Sequence, residues 1–313
     1  MIVLSLFDGM SCGQLALEKA GIKVEKYYAS EIKKHGIKVT QDNFPNTIQL
    51  GDVTKVRYEN GILYSENGEF KTGTIDLVIG GSPCQNFSIA CLKEKRLGLD
   101  GDKSKLFYEY LRILEEVNPK YFLLENVSSM DKESKKQLDE YMKVEGIEIN
   151  SLDFLPHMRK RLYWTNININ AYEKKEYNYQ DYLDKGWYSP KKYSSCLLEG
   201  HSRPNVDKLR LVRRNLEKSF IPIVYKSEEL YKEMIEHYNK NYRGKSAKEV
   251  DEKRDTLDNS IYSCARVLSS NEMERLQGVP VGYCDSISRD EAASLLGDGW
   301  TIDVIAHILG GLK

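Results

Sequence analysis

IDLVIGGSPCQNFS, residues 75–88, is the stretch from which the architecture can be read. Residues 75–79 form a short apolar run with one acid, the composition of a strand buried on both faces. Gly80 and Gly81 then permit backbone angles closed to other residues, and Pro83 fixes the approach to Cys84 without offering a backbone donor. The expectation is a central strand, a sharp turn at the glycine pair, and a thiol at the strand's carboxyl end, where open α/β sheets place their ligands. A lone cysteine is ordinarily a small buried hydrophobe. Gln85, Asn86 and Ser88 make a poor core and a good loop, and a loop thiol can be lowered in pKa and act as a nucleophile.

Upstream, residues 2–7, IVLSLF, are strand-like, and DGMSCG leads into helical spacing over 14–20. A strand, glycine turn and helix offer backbone amides to a ligand, as dinucleotide and adenosine sites do, although Gly9 and Gly13 do not complete a GxGxxG pattern. The next strand, 26–30, ends in Glu31, where an acid would hold a ribose hydroxyl pair. A third unit ends at Leu50, Gly51 and Asp52. Either acid alone is more often a helix cap or a solvated charge. Two acids and a glycine turn in this order point to an adenosine-type site.

Downstream, residues 59–74 carry Asn-Gly twice and read as a hairpin excursion. Residues 91–105 are polar and glycine-punctuated, the composition of a mobile flap. Helical spacing over 106–117 is stopped by Asn118-Pro119. A buried strand over 121–124 leads to Glu125-Asn126-Val127, which should lie beside the Cys84 strand and bring a carboxyl group near the thiol, placed to hold or protonate a heteroaromatic nitrogen. Segments 151–155 and 161–167 read as a terminal antiparallel pair with His157, Arg159 and Arg161 at the joint; a solvated basic loop is the alternative. Residues 271–277 form a short helix, and 295–300, LLGDGW, open a last helix over 301–309, with Trp300 facing a ligand or the core.

Between 168 and 262 the alternating strand and helix rhythm stops, and tyrosine, lysine and asparagine dominate. Residues 191–260 hold 16 Lys and Arg against 12 Asp and Glu, in a chain whose formal net charge is -1. Basic residues interleaved with aromatics (Lys191, Lys192, Tyr193, Arg203, Arg210, Arg213, Arg214, Tyr225, Tyr242, Arg243, Lys245) suit phosphate contact and base readout, although a Lys-rich helical surface gives the same counts. The expected division is 1–167, 168–262 and 263–313.

With 41% apolar and 30% charged residues in 313, the chain can bury a full core and has no global basic signature. Six scattered cysteines, without a CxxC pair or a histidine cluster, argue against a zinc site and a disulfide framework, so no metal and reduced thiols are expected. The start, MIVLSLFDGM, lacks a basic flank and reads as a strand, and no apolar run approaches the roughly 20 residues of a membrane span. A soluble, cytoplasmic protein is the expectation.

Together these segments resemble the DNA cytosine-C5 methyltransferases, and within them the branch that includes the catalytic domain of the mammalian de novo enzymes and its bacterial and phage relatives. LSLFDGMSCG is similar to the family's cofactor motif, GGSPCQNFS to its nucleophile loop, LLENV to its catalytic glutamate and RKRLYW to its arginine motif. EMERLQGVP with LLGDGWTIDVIAHIL resembles the closing pair. The likeness covers nearly the whole chain outside 168–262.

The resemblance implies a Rossmann-like α/β fold that binds S-adenosylmethionine, a mostly parallel sheet with a terminal antiparallel hairpin, and a target-recognition region over 168–262. It implies Cys84 as nucleophile at cytosine C6, Glu125 on N3 and the amino group, and Arg159 and Arg161 in the same pocket, Arg161 aimed at the base's O2 or at its intermediate. For the cofactor it implies Phe7 stacked on adenine, Glu31 on the ribose and Asp52 on the adenine amino group, with Ile32 and Val53 beside them. The turn Asp8, Gly9, Ser11, Cys12 and Gly13, the residues Ser82, Pro83 and Leu106, and the segment Asp298, Gly299 and Trp300 complete that set. The implied partner is double-stranded DNA, whose target base must be flipped out, and a cognate restriction endonuclease in a bacterial or phage-infected cell fits the same family. An RNA cytosine methyltransferase and an inactive DNA-binding relative are the alternatives. Two positions depart from the family's pattern: His157, where Gln is common, and Asp298, where Asn or Arg is common.

Overall fold

The computed structural model describes residues 1–83, 105–198, 207–218, 221–254 and 256–313. Cys84, its loop to Ser88 and the flap expected over 91–105, as far as residue 104, lie outside the described residues, while Lys105 begins a helix.

In chain order the described elements are β1 (Ile2–Leu6), α1 (Cys12–Lys19), β2 (Lys26–Ser30), α2 (Lys34–Asn43), β3 (Ile48–Gln49), β4 (Arg57–Glu59), β5 (Ile62–Ser65), β6 (Gly68–Lys71), β7 (Leu77–Gly81), α3 (Lys105–Val117), β8 (Tyr121–Val127), α4 (Lys132–Met142), β9 (Ile147–Asn150) and β10 (Lys160–Thr165). They continue with α5 (Lys208–Lys218), β11 (Ile223–Tyr225), α6 (Glu228–Asn241), α7 (Ala247–Arg254), β12 (Ala265–Val267), α8 (Ser270–Gln277), α9 (Arg289–Asp298) and α10 (Ile302–Leu309).

Seven of these strands form one sheet in the order β3-β2-β1-β7-β8-β10-β9. Pairing is parallel from β3 to β8, and β10 runs antiparallel to both its neighbours. The chain moves outward from β1 to β3 and then crosses to β7 on β1's other side, so the order reverses at the β1/β7 seam, where such sheets bind ligands. Alternation along each strand separates two cores. Val3, Tyr27, Leu77, Ile79, Leu123 and Tyr163 pack with α1, α8, α9 and α10. Leu4, Leu6, Tyr28, Val78, Leu124 and Leu162 pack with α3 and α4 on the other face.

Several boundaries differ from those expected. Gly80 and Gly81 belong to β7 and neither has a positive φ. They are small because neighbours press on them: a Cβ at Gly80 would lie 3.0 Å from the Leu6 carbonyl and the Tyr110 ring. Likewise β8 runs through Glu125, Asn126 and Val127 instead of ending before them. The strand expected over 151–155 is β9, four residues earlier; Ser151–Asp153 is a 3-10 turn capped by the Asn150 side chain, which accepts from the Leu152 N–H at 3.2 Å. Over 59–74 the hairpin is a three-stranded meander, β4-β5-β6. Residues 295–298 close α9 instead of opening the last helix; α9 begins at a capping box, with Ser288 and Glu291 each accepting from the other's backbone N–H.

A third core, separate from both sheet faces, lies within 209–267. α5, α6, α7 and the antiparallel pair β11-β12 enclose Leu209, Val212, Met234, Val250 and four buried tyrosines, Tyr225, Tyr238, Tyr242 and Tyr262. Their hydroxyls find internal partners, Tyr242 donating to Asn259 Oδ1 at 2.8 Å and Tyr262 lying 3.0 Å from His237 Nδ1. Tyr225 and Tyr242, expected among the nucleic-acid contacts, are therefore core residues. Tyr179, Leu183 and Leu197, earlier in the 168–262 stretch, pack on the sheet's first core.

Candidate active site

A cavity of about 390 Å³ opens along the carboxyl ends of β1, β2, β7 and β8. Every residue expected at the site lines it except Ser11, which is buried behind it, and Cys84, which follows Pro83 outside the described residues.

At one end, β1 leaves the sheet through a left-handed turn. Phe7, Gly9 and Ser11 have φ of 60°, 64° and 60°, and a bulky residue such as Phe7 holds that conformation only where its surroundings impose it. The buried Asp8 supplies part of that constraint: its carboxylate accepts from the Ser11 hydroxyl and from Tyr27 at 2.8 Å. Burial pushes the Asp8 carboxyl upward against those hydrogen bonds. Cys12, at the start of α1, has its thiol pushed up to about 12 by burial, so it is a wall and not a nucleophile.

Glu31, just past β2, is fixed by backbone. Oε2 accepts from the Gly9 N–H at 2.7 Å, and Oε1 from the Ile32 and Lys33 N–H groups at 2.8 Å each. Ile32 beside it is 70% exposed, an apolar surface open to the cavity. Asp52 caps a short 3-10 turn by accepting from Thr54 N–H at 2.9 Å, while its own N–H donates to Glu66 at 2.8 Å. The β4-β5-β6 meander thus braces Asp52 through Glu66, and Gly51 (φ +79°) leaves the space that carboxylate fills.

At the other end stands Glu125, set by strand register opposite Gly81 on β7 and Tyr163 on β10. Its Oε1 lies 2.7 Å from Arg161 Nε, and its Oε2 accepts from the Trp300 indole at 3.1 Å. Because β10 runs antiparallel, Arg161 near its amino end reaches the rim where the parallel strands finish. Asn126, facing the other way, donates to the Ser82 hydroxyl at 3.1 Å and to its carbonyl at 3.3 Å. The backbone two residues before Cys84 is thereby tied to the strand that carries Glu125.

Arg159 lines the cavity with its guanidinium already engaged. It donates to the carbonyls of Leu197 at 3.2 Å, Gly297 at 3.1 Å and Gly299 at 2.7 Å, and is 3% exposed. It clamps the turn between α9 and α10 that presents Asp298, Gly299 and Trp300. His157 is fully buried and accepts from the Leu197 N–H at 3.1 Å; desolvation, then Arg159 and Arg161, hold it well below the usual histidine range, so it is neutral.

Lys33 also lines the cavity and was not foreseen. Its ammonium meets Asp298 at 2.6 Å, joining the β2 rim to the α9–α10 turn, and so the acid at 298 has its own counter-charge. Position held the signal: Lys33 is two residues past Glu31. Val127, Leu295 and Gly297 are further lining residues that only the fold reveals. Among the described residues no group of three or more His, Cys, Asp or Glu could hold a metal, and no helix is long and apolar enough to cross a membrane.

Comparison with known proteins adds an independent finding. The family model for "C-5 cytosine-specific DNA methylase" matches residues 1–313. The orphan methyltransferase M.SPRI of Bacillus phage SPR is 30% identical over 200 residues, 59% of this chain and 42% of the phage protein. The type II methyltransferase M.NgoBV of Neisseria gonorrhoeae is 32% identical over 183 residues, 52% of this chain and 40% of its own length. The chain thus spans about two fifths of such curated relatives. Among solved structures, Dnmt2 methyltransferase of S. pombe superposes over 100% of this chain and 99% of its own, with TM-score 0.66 at 15% identity, a likeness of fold.

Proposed function

The chain belongs to the C-5 cytosine-specific DNA methylases, and from that premise we propose that it transfers a methyl group from S-adenosylmethionine to C5 of a flipped-out cytosine in double-stranded DNA. The observation that carries this is one continuous cavity, with Phe7, Glu31, Ile32 and Asp52 at one end and Glu125, Arg161 and the approach to Cys84 at the other. A nucleoside needs an apolar slot and fixed acceptors. Phe7 and Ile32 form the first, Glu31 and Asp52 supply the second, and about 390 Å³ falls in the range of small-ligand sites, roughly 300 to 1,000 Å³.

When bound, S-adenosylmethionine supplies the methyl group on a sulfonium. The chain's own residues do the rest. Cys84 adds to C6, which loads electron density onto C5, while Glu125 holds N3 and the amino group and Arg161 keeps Glu125 in place. Once C5 carries the methyl group, which the cofactor would give up as its sulfonium becomes a neutral thioether, loss of the C5 proton to water and departure of the Cys84 thiolate restore the ring. Flipping the base costs a few kcal/mol, and the site at the sheet rim receives it outside the duplex.

Choice of DNA sequence is assigned to 168–262, where Arg210, Arg214, Lys240 and Arg243 are exposed over the third core. Phosphate contacts there make binding fall steeply with salt. A graft of this stretch from a relative with another target is expected to change the methylated sequence and leave transfer intact. The cytoplasm as compartment and a cognate restriction endonuclease as functional partner belong to the same proposal, which the likeness to a type II methyltransferase supports.

Labelled S-adenosylmethionine should deliver its methyl group to cytosine in DNA and not to RNA. DNA carrying 5-fluorocytosine should trap the protein, since fluorine cannot leave as a cation, in an adduct that survives denaturing electrophoresis and maps to Cys84. Cys84→Ser should abolish it, because a hydroxyl near neutral pH is far less nucleophilic than a thiolate. An adduct on another cysteine, or label found only in RNA, would refute the reading.

A further inference from the structure

Trp300 sits in the turn that lines the cofactor end of the cavity, and the one polar atom of its side chain points elsewhere. The indole Nε1 donates to Glu125 Oε2 at 3.1 Å, while Arg161 holds the other oxygen at 2.7 Å. The space for this contact is made by Gly81: a Cβ there would lie 2.9 Å from Trp300 Nε1 and 3.0 Å from Glu125 Oε2. The turn itself is anchored from below. Arg159 binds the Gly297 and Gly299 carbonyls, Gln277 donates to the Leu296 carbonyl at 2.6 Å, and Thr301 donates to Gln277 at 2.8 Å. An indole on so rigid a mount is a fixed donor, and a fixed donor sets the plane of the carboxylate it binds.

We propose that Trp300 is a positioning residue for methyl transfer, acting through Glu125, and that Gly81 is small so that this hydrogen bond can form. The inference rests on the cytosine-methylating role given to Glu125 above. A wall of the cofactor pocket would affect how tightly S-adenosylmethionine binds. A residue acting through Glu125 affects the rate once the cofactor is bound.

The test uses the full chain, a methylatable DNA duplex and S-adenosylmethionine, with calorimetry for cofactor affinity and single-turnover transfer of labelled methyl groups for rate. Trp300→Phe keeps an aromatic ring and removes the donor. The expected result is a rate about tenfold or more below the parent's, with cofactor Kd within about threefold, and no further loss when the change is added to Glu125→Gln, since residues acting as a unit are non-additive. Gly81→Ala should reproduce the same pattern; if it does not fold, Trp300→Phe carries the test alone. A raised cofactor Kd with an unchanged rate, or losses that multiply with those of Glu125→Gln, would overturn the proposal. A parent protein that binds S-adenosylmethionine normally and methylates no DNA would instead remove the functional reading, and this inference with it.

Discussion

Glu31 and Glu125 stand at carboxyl ends of strands in one sheet, facing one cavity, yet they are held by different means. Three backbone N–H groups hold Glu31; two side chains, Arg161 and Trp300, hold Glu125. Backbone donors come with the fold and cannot turn away. The Trp300 indole is fixed by its anchored turn, while the Arg161 side chain can exchange partners, which on the proposed function suits a carboxylate that meets a base at every turnover. On the proposed function, the Glu31 end binds the cofactor and the Glu125 end does the chemistry.

The sharpest attempt to break this contrast is Glu125→Ala. A positioned acid or base contributes about 10² to 10⁴ in rate, so transfer should fall by that order while cofactor affinity, followed by calorimetry, stays within about threefold. If affinity fell in step with rate, the two ends would not be separate. Arg161→Ala comes next: removing a charged partner of Glu125 costs about 1.5–3 kcal/mol, and the loss should appear in steady-state kcat. Glu31→Ala and Phe7→Ala should show the reverse pattern. Each should weaken S-adenosylmethionine about tenfold or more, with the rate at saturating cofactor nearly unchanged. Unaltered affinity in both would remove the adenosine assignment.

The smallest effect belongs to the Lys33–Asp298 pair at the cavity mouth, whose side chains are 36% and 47% exposed. Solvent screening limits such a pair to about 1 kcal/mol or less. Asp298→Asn should shift cofactor affinity by severalfold at most and change its dependence on salt, read from Kd at low and high ionic strength. A large loss would mean that Asp298 meets the cofactor itself.

The two ends also differed in how openly the sequence declared them. β2 over Lys26–Ser30 and the acid after it could be read directly, because alternation and strand length are local properties. The Glu31 end is built from consecutive strand tips, each with its own acid or turn. The Glu125 end depends on register and on distant chain. Arg159 finds its carbonyl partners at 197, 297 and 299, and no local pattern announces that. Glycine is ambiguous for a similar reason: at Gly9 it serves a left-handed turn, whereas at Gly80 and Gly81 it admits neighbours that only the fold supplies. The start of α9 was written locally, in Ser288 and Glu291, and shows that a cap can precede a helix whose apolar signal is weak.

The Asn126 side chain reaches from β8 to both polar groups of Ser82. In terms of engineering and inheritance, that link makes two separate stretches of sequence a single cassette. The segment 80–88, which on the proposed function carries the nucleophile, would if transplanted alone from a relative meet a strand tip cut for another backbone path, and changes on either side should show epistasis: harmful singly, tolerated together. Directed evolution of this site should therefore recombine 80–88 with 121–127 as one block.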